Sequence, residues 1–285
     1  MAAKLVECVP NFSEGRDARV VDAIASAIAS GARVAVLDCH RDTDHNRAVI
    51  TFVAAPEAAV EAAVRGVAMA VERIDLSRHT GVHPRIGAAD VVPFVPLENM
   101  TLHDCAALAH QAGAEIWRRL RVPVYFYEAA ALRPEWRNLA DLRRSSAPRQ
   151  PDAGGPAPHP TAGATAVGAR NFLIAYNINL ATGDLDLARR IARRIRAFPS
   201  VKALGFYLES RKLAQVSMNL VDFERTPVEE VYAAVEEAAA SAGVAVAESE
   251  LIGMVPRRAY EMAPRFYERC ANFRPGLILE NRLPA

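Results

Sequence analysis

The chain has 285 residues, 51% of them hydrophobic and 24% charged, with 34 basic against 33 acidic side chains. That is enough chain for one large domain or two small ones with proper cores, and it is too apolar and too charge-balanced for disorder. A formal net charge of +1 excludes a nucleic-acid protein that relies on a basic exterior.

The densest basic run, Arg189, Arg190, Arg193, Arg194 and Arg196, follows Asp184 and Asp186 and reads as a solvated helix face. Cys8, Cys39, Cys105 and Cys270 lie far apart and form no CxxC pair, so neither a disulfide framework nor a structural zinc site is expected. The first residues reach Glu7 and Pro10 before a signal-peptide core can develop, and no later segment approaches a spanning length without charges. The expectation is a soluble, cytoplasmic protein with no membrane or nucleic-acid partner.

Short β-type runs alternate with longer alanine-rich segments, the signature of an α/β chain. The pattern predicts a strand near 4–9, a helix over 17–31, strands over 33–39 and 47–54, and a helix over 57–73 that Pro56 and Glu57 open well. A glycine- and proline-punctuated stretch runs to Pro96, followed by a helix over 102–120 and a strand over 122–127. Between about 129 and 168 the composition changes. Pro148, Pro151, Pro156, Pro158 and Pro160 interleave with Gly154, Gly155, Gly163 and Gly168, which excludes a helix or a central strand and predicts a linker or a long functional loop. Beyond it come a strand over 171–179, a helix over 184–197, strands over 201–208 and 213–221, a helix over 227–242, a strand over 244–249 and a final helix near 257–269.

Both halves begin β-α-β-β-α, and the second closes with β. The strand at Val49 leading to Pro56-Glu57 has the texture of the strand at Val216 leading to Pro227-Val228-Glu229. The fold class expected is α/β (α+β), two tandem ferredoxin-like βαββαβ subdomains, with a cleft between them as the natural ligand site. The division expected is 1–150, a proline- and glycine-rich linker over 151–168, and 169–285.

Three stretches concentrate functional chemistry. Ser77-Arg-His-Thr-Gly-Val-His-Pro-Arg-Ile-Gly-Ala-Ala-Asp90 packs proton carriers and cations into a glycine-punctuated loop, in which histidine serves as general acid or base and arginine holds carboxylates. His79 and His83 stand four apart, but Thr80 takes the place of a zinc-protease glutamate, and Gly81 and Pro84 disfavour a helix. A metal-dependent hydrolase using His79, His83 and Asp90 is therefore a distant reading. Asp38-Cys-His-Arg-Asp-Thr-Asp-His-Asn-Arg47 lies between two predicted strands and reads largely as a solvated hairpin turn, with Asn46 and Arg47 able to project from the strand end. Gly163 to Arg170 has the glycine spacing of a P-loop without its Lys-Ser/Thr, leaving a pocket floor or a hinge.

Leu5-Val-Glu-Cys-Val-Pro-Asn-Phe-Ser-Glu-Gly15, Asn46-Arg47 with Thr51-Phe52-Val53, and Ser77 to Asp90 with Pro93-Phe94 together resemble the glutamate formiminotransferase family. Val122-Pro-Val-Tyr125, Gly163 to Arg170, Phe172 to Leu180, Leu213 to Ser217 and Asn219 to Phe223 extend the resemblance along nearly the whole chain. It implies two α/β subdomains whose sheets face each other across a tunnel, in a free-standing transferase without the cyclodeaminase domain fused to it in animals.

The implied reaction moves the formimino group of N-formimino-L-glutamate to N5 of tetrahydrofolate in histidine degradation and one-carbon metabolism. N5 attacks the amidine carbon, a tetrahedral intermediate forms, and glutamate leaves as an amine. His83 matches the family's catalytic histidine and would carry the proton from N5 to the departing nitrogen, a role suited to a pKa near 7. Gly154, Gly155, Pro156, Thr161 and Gly163 fall where the family binds folate. Arg47, Arg85 and Arg170 are candidates for the substrate carboxylates. Asp38, His40, Asn46, His79, Gly87, Ala164, Thr165, Asn177, Gln215 and Asn219 complete the candidate substrate and folate contacts.

Tetrahydrofolate is thus the expected co-substrate, no metal is expected, and a homodimer is the expected assembly. Two departures bear on this reading. Asp38-Cys39-His40 stands where the animal enzyme has Asp-Val-Asp, and Pro158-His-Pro-Thr-Ala162 lacks an aromatic residue before Gly163. Alternatives are a transferase using a related formyl or formimino donor and a non-catalytic folate-binding protein on the same scaffold.

Overall fold

A computed structural model describes residues 4–144 and 150–284; Pro148 of the proline-glycine stretch lies outside them. The chain divides into two compact units, Met1–Asn171 and Phe172–Ala285.

The first unit begins with β1 (Leu5–Cys8), β2 (Asn11–Phe12), α1 (Ala18–Ala29), β3 (Val34–Asp42), β4 (Arg47–Ala54), α2 (Pro56–Arg73) and β5 (Ala89–Glu98). β1 and β2 occupy one row of the sheet, broken at Val9-Pro10, and both pair antiparallel with β4 on one side and β5 on the other. β3 closes the far edge against β4 as a hairpin. The unit continues with α3 (Leu102–Leu120), β6 (Val124–Glu128), α4 (Leu139–Arg144) and β7 (Thr165–Ala169). β7 lies parallel between β5 and β6, which makes seven strands among the described residues.

Local chemistry sets the helix limits. Asp17 caps α1 through the Arg19 N–H, and Thr101 and Asp104 form a reciprocal capping box at the start of α3. Val21, Ile24 and Ile28 give α1 one apolar stripe, which packs with α2 and α3 on a single sheet face over Val6, Cys8, Phe12, Ile50 and Phe52.

The second unit runs β8 (Ile174–Leu180), α5 (Leu185–Ile195), β9 (Val201–Leu208), β10 (Leu213–Leu220), α6 (Val228–Ala240) and β11 (Val246–Leu251). Its sheet is antiparallel in the order β11-β8-β10-β9. A βαββαβ chain in that order is a ferredoxin-like unit, and the first unit repeats it from β1 to β5 before adding β7 and β6 at the β5 edge. The internal duplication is therefore present as two mixed α/β layers with separate apolar cores.

Three expectations need correction. The stretch ending at Pro96 contains a central strand, β5, despite Pro93 and Pro96. The row facing it is itself broken at Pro10, with register shifts at Leu5/Val6 and Asn11/Phe12, so the lost proline donors fall beside an already irregular ladder. The stretch from 129 to 168 also contains a central strand, β7, and the helix α4. Its last proline is Pro160, and the small residues of β7 pack beneath α3. The final helix is two, α7 (Arg257–Met262) and α8 (Pro264–Arg269), because Pro264 cannot continue the first. Among the described residues no helix is long and apolar enough to cross a membrane.

Candidate active site

The β3–β4 hairpin and the loop before β5 meet at one end of the first sheet. Asn46, in the left-handed region at φ 46°, turns the hairpin; its Oδ1 accepts the Gly15 N–H at 2.9 Å and its Nδ2 donates to Thr80 O at 2.9 Å. Arg85 ties the same parts together. Its guanidinium donates to His45 O at 2.7 Å, Asn46 O at 2.9 Å and His83 O at 3.0 Å, and it reaches the His79 ring at 3.0 Å. The seam leaves no room for a side chain at Gly81, where a Cβ would lie 2.5 Å from both Arg85 and His45 O.

Beneath this seam lies a charged triad. Asp90, fully buried at the start of β5, accepts from Arg47 at 2.7 Å, from Arg143 of α4 and from the Ile86 N–H at 2.7 Å. Arg47 also donates to Asn11 Oδ1 at 2.9 Å. Burial pushes the Asp90 carboxyl up, but Arg143 and Arg47 outweigh it and hold the group well below the usual carboxylate range. With these partners Asp90 is committed, which removes it from the distant metal reading.

His83 stands over the triad, 5.8 Å between ring centroids from the buried His45. The residue is half-buried, and protein crowds the surroundings of its ring. Burial first, then the Arg47 and Arg143 guanidiniums, hold its pKa well below the ordinary 6.5. Nδ1 lies 2.8 Å from Pro84 O. Since a carbonyl only accepts, Nδ1 carries the proton and the lone pair resides on Nε2. The result is a neutral imidazole with a defined basic atom in a net positive environment. The pKa near 7 expected from the sequence is corrected downward. His79 is likewise depressed, by burial and then by Arg85.

The segment after Pro158 seals the other side. Leu76 N–H donates to Thr161 O at 2.8 Å, Ala88 N–H to Ala162 O at 2.9 Å and Ala164 N–H to Ile86 O at 2.9 Å. A Cβ on Gly87 would collide with Ala164 O, and one on Gly163, at φ +68°, would collide with Ile86 O. His159 folds this loop on itself: its Nδ1 accepts the Ala162 N–H at 3.1 Å, and its main chain exchanges hydrogen bonds with Gly163 at 2.8 and 3.0 Å.

The remaining candidates are distributed as follows. Asp38 and His40 lie on β3 opposite Thr51 and Val49, on the sheet face that also carries Arg47. Thr165 Oγ1 donates to Ala89 O at 2.8 Å, and the Arg170 N–H donates to Phe94 O at 3.1 Å, so both anchor β7 to β5. Gly154, at φ +114°, lies against Trp117, Gly155 is open, and Pro156 is exposed. Asn177, Gln215 and Asn219 belong to the second unit, on β8 and β10. Sequence reasoning missed Arg143, Asn11 and His45. The signal for Arg143 was Leu139 and Leu142, three apart, which seat α4 against Trp136.

Residues 5–170 match the family described as the formiminotransferase domain, N-terminal subdomain, and residues 175–279 match the formiminotransferase domain. The glutamate formimidoyltransferase of Thermoplasma acidophilum is 43% identical, covering 98% of this chain and 97% of its own. That of Streptococcus pyogenes serotype M1 is 41% identical, covering 99% of each. The formimidoyltransferase-cyclodeaminase of Gallus gallus is 44% identical over 93% of this chain and 52% of its own.

Proposed function

The chain belongs to the formiminotransferase family, and from that premise we propose that it is a glutamate formimidoyltransferase, passing the formimino group of N-formimino-L-glutamate to N5 of tetrahydrofolate. The observation that carries the catalytic assignment is His83: a neutral imidazole, its proton fixed on Nδ1 by Pro84 O, beside the Arg47–Asp90–Arg143 triad with its buried carboxylate.

In the reaction a carbon–nitrogen bond forms at N5 and the bond to the glutamate nitrogen breaks. His83 Nε2 takes the proton that N5 loses. The imidazolium so formed is a strong acid in this environment, because burial and two guanidiniums disfavour its charge, and it passes the proton to the departing nitrogen. Asp90 holds Arg47 and Arg143 in place, and the cationic surroundings suit the carboxylates of both substrates. Arg85 spends its donors on main-chain carbonyls, so its part is to shape the loop that presents His83. The loop from His159 to Ala164 is the candidate folate contact, supported by its hydrogen bonds to Leu76, Ile86 and Ala88 beside His83.

The same reading takes the protein to be a cytoplasmic homodimer acting in histidine degradation and one-carbon metabolism; sedimentation velocity checks the assembly. For the catalytic assignment, His83→Ala is expected to keep the fold and folate affinity while losing transfer by at least about a hundredfold. A near-normal rate in that variant would overturn the role given to His83.

A further inference from the structure

The second unit carries a polar cluster that His83 chemistry does not use. On the face of its sheet opposite the apolar core, Asn177 and Asn179 of β8 pair in register with Glu250 and Glu248 of β11, and Asn179 also pairs with Gln215 of β10. Asn177, Asn179 and Gln215 are buried. Asn177 Nδ2 donates to Glu250 Oε1 at 3.0 Å, and Gln215 Nε2 donates to Asn179 Oδ1 at 2.9 Å and reaches Glu250 Oε1 at 3.4 Å. Asn179 Nδ2 donates to Glu248 Oε1 at 3.0 Å.

Two features set the Glu250 end apart. Glu248 is neutralised by Arg211, whereas Glu250 forms no ion pair among the described residues. Asn177 Oδ1, on a side chain only 3% exposed, has no hydrogen-bond partner among them either. A buried carbonyl left without a donor is costly, and native folds keep few of them. An amide oxygen and a carboxylate, adjacent across two strands, both only accept. Such a pair complements a planar N–C–N edge bearing two N–H groups, as in an amidine or a 2-aminopyrimidinone.

We propose that Glu250 and Asn177 Oδ1 bind the planar N–C–N donor edge of a substrate, an inference that rests on the transferase reading. That reading supplies two sources of the edge: the formamidine group of the donor and the pyrimidinone ring of the folate. Glu250→Gln keeps the acceptor that Asn177 and Gln215 use while removing the charge.

Calorimetric titration of wild type and E250Q with N5-formyltetrahydrofolate and with N-formimino-L-glutamate distinguishes the two. The expected result is a loss of about tenfold or more in affinity for one ligand and none for the other. A second comparison needs no variant. Wild type should bind the responding ligand about tenfold more tightly than its edge-deleted analogue, either a folate with methyl in place of the 2-amino group or N-formyl-L-glutamate. Equal affinities of E250Q and wild type for both ligands overturn the proposal, and so does indifference of wild type to both analogues. If E250Q fails to fold, the analogues decide. Wild type that transfers the formimino group but shows neither effect refutes this site alone; wild type that transfers nothing refutes the reading beneath it as well.

Discussion

At the scale of the residue, His83 and Asp90 make opposite demands on the same charged surroundings. Both have depressed pKa values, but the depression keeps His83 neutral and Asp90 charged. For activity, the acid limb of kcat/KM should lie below the ordinary histidine value of 6.5, and a pH–rate profile checks this. For stability, the unfolded chain binds a proton at His83 before the folded one does. Stability from this group is therefore complete above about pH 6.5 and is lost as pH falls from there toward the folded pKa. His83→Gln should flatten that part of the stability–pH curve. Asp90→Asn leaves Arg47 and Arg143 without their buried counter-charge and should cost about 3–5 kcal/mol in denaturant unfolding. The motif around His83 was legible in the sequence because its residues are contiguous. Arg143 was not, because it reaches Asp90 from 53 residues away, out of a stretch whose prolines and glycines pointed to a loop.

At the scale of the element, the longer helices announced themselves through apolar periodicity, and in α3 Thr101 and Asp104 add a capping box that fixes it at the limits expected, whereas the short α4 gave no such sustained signal. Nor did β5 and β7 announce themselves. A central strand with two prolines contradicts local propensity, and Thr-Ala-Val-Gly-Ala has too little side chain to alternate visibly. Their positions are decided by neighbours distant in sequence, β1, β2 and β6. The seam between the loop preceding β5 and that preceding β7 should be correspondingly sensitive. Gly163→Ala forces a side chain into the left-handed region and toward Ile86 O, and should destabilise the first unit by more than about 1 kcal/mol. It should also raise KM for folate, and steady-state kinetics with thermal unfolding would separate the two effects.

At the scale of the whole molecule, the repeated βαββαβ order explains why 285 near-neutral residues make two units, each with its own core. The second unit expressed alone, Phe172–Ala285, should unfold cooperatively and show no transfer, since His83 lies in the first. Within that near-neutral chain, Arg47 and Arg143 pair with one buried carboxylate, and Arg85 lies near enough to feel its charge. The most direct test of the account is the transfer itself. Purified protein incubated with N-formimino-L-glutamate and tetrahydrofolate should yield free glutamate and N5-substituted folate in equal amounts, and His83→Ala should yield about a hundredfold less per unit time. Absence of N5-substituted folate with the wild-type protein would contradict it.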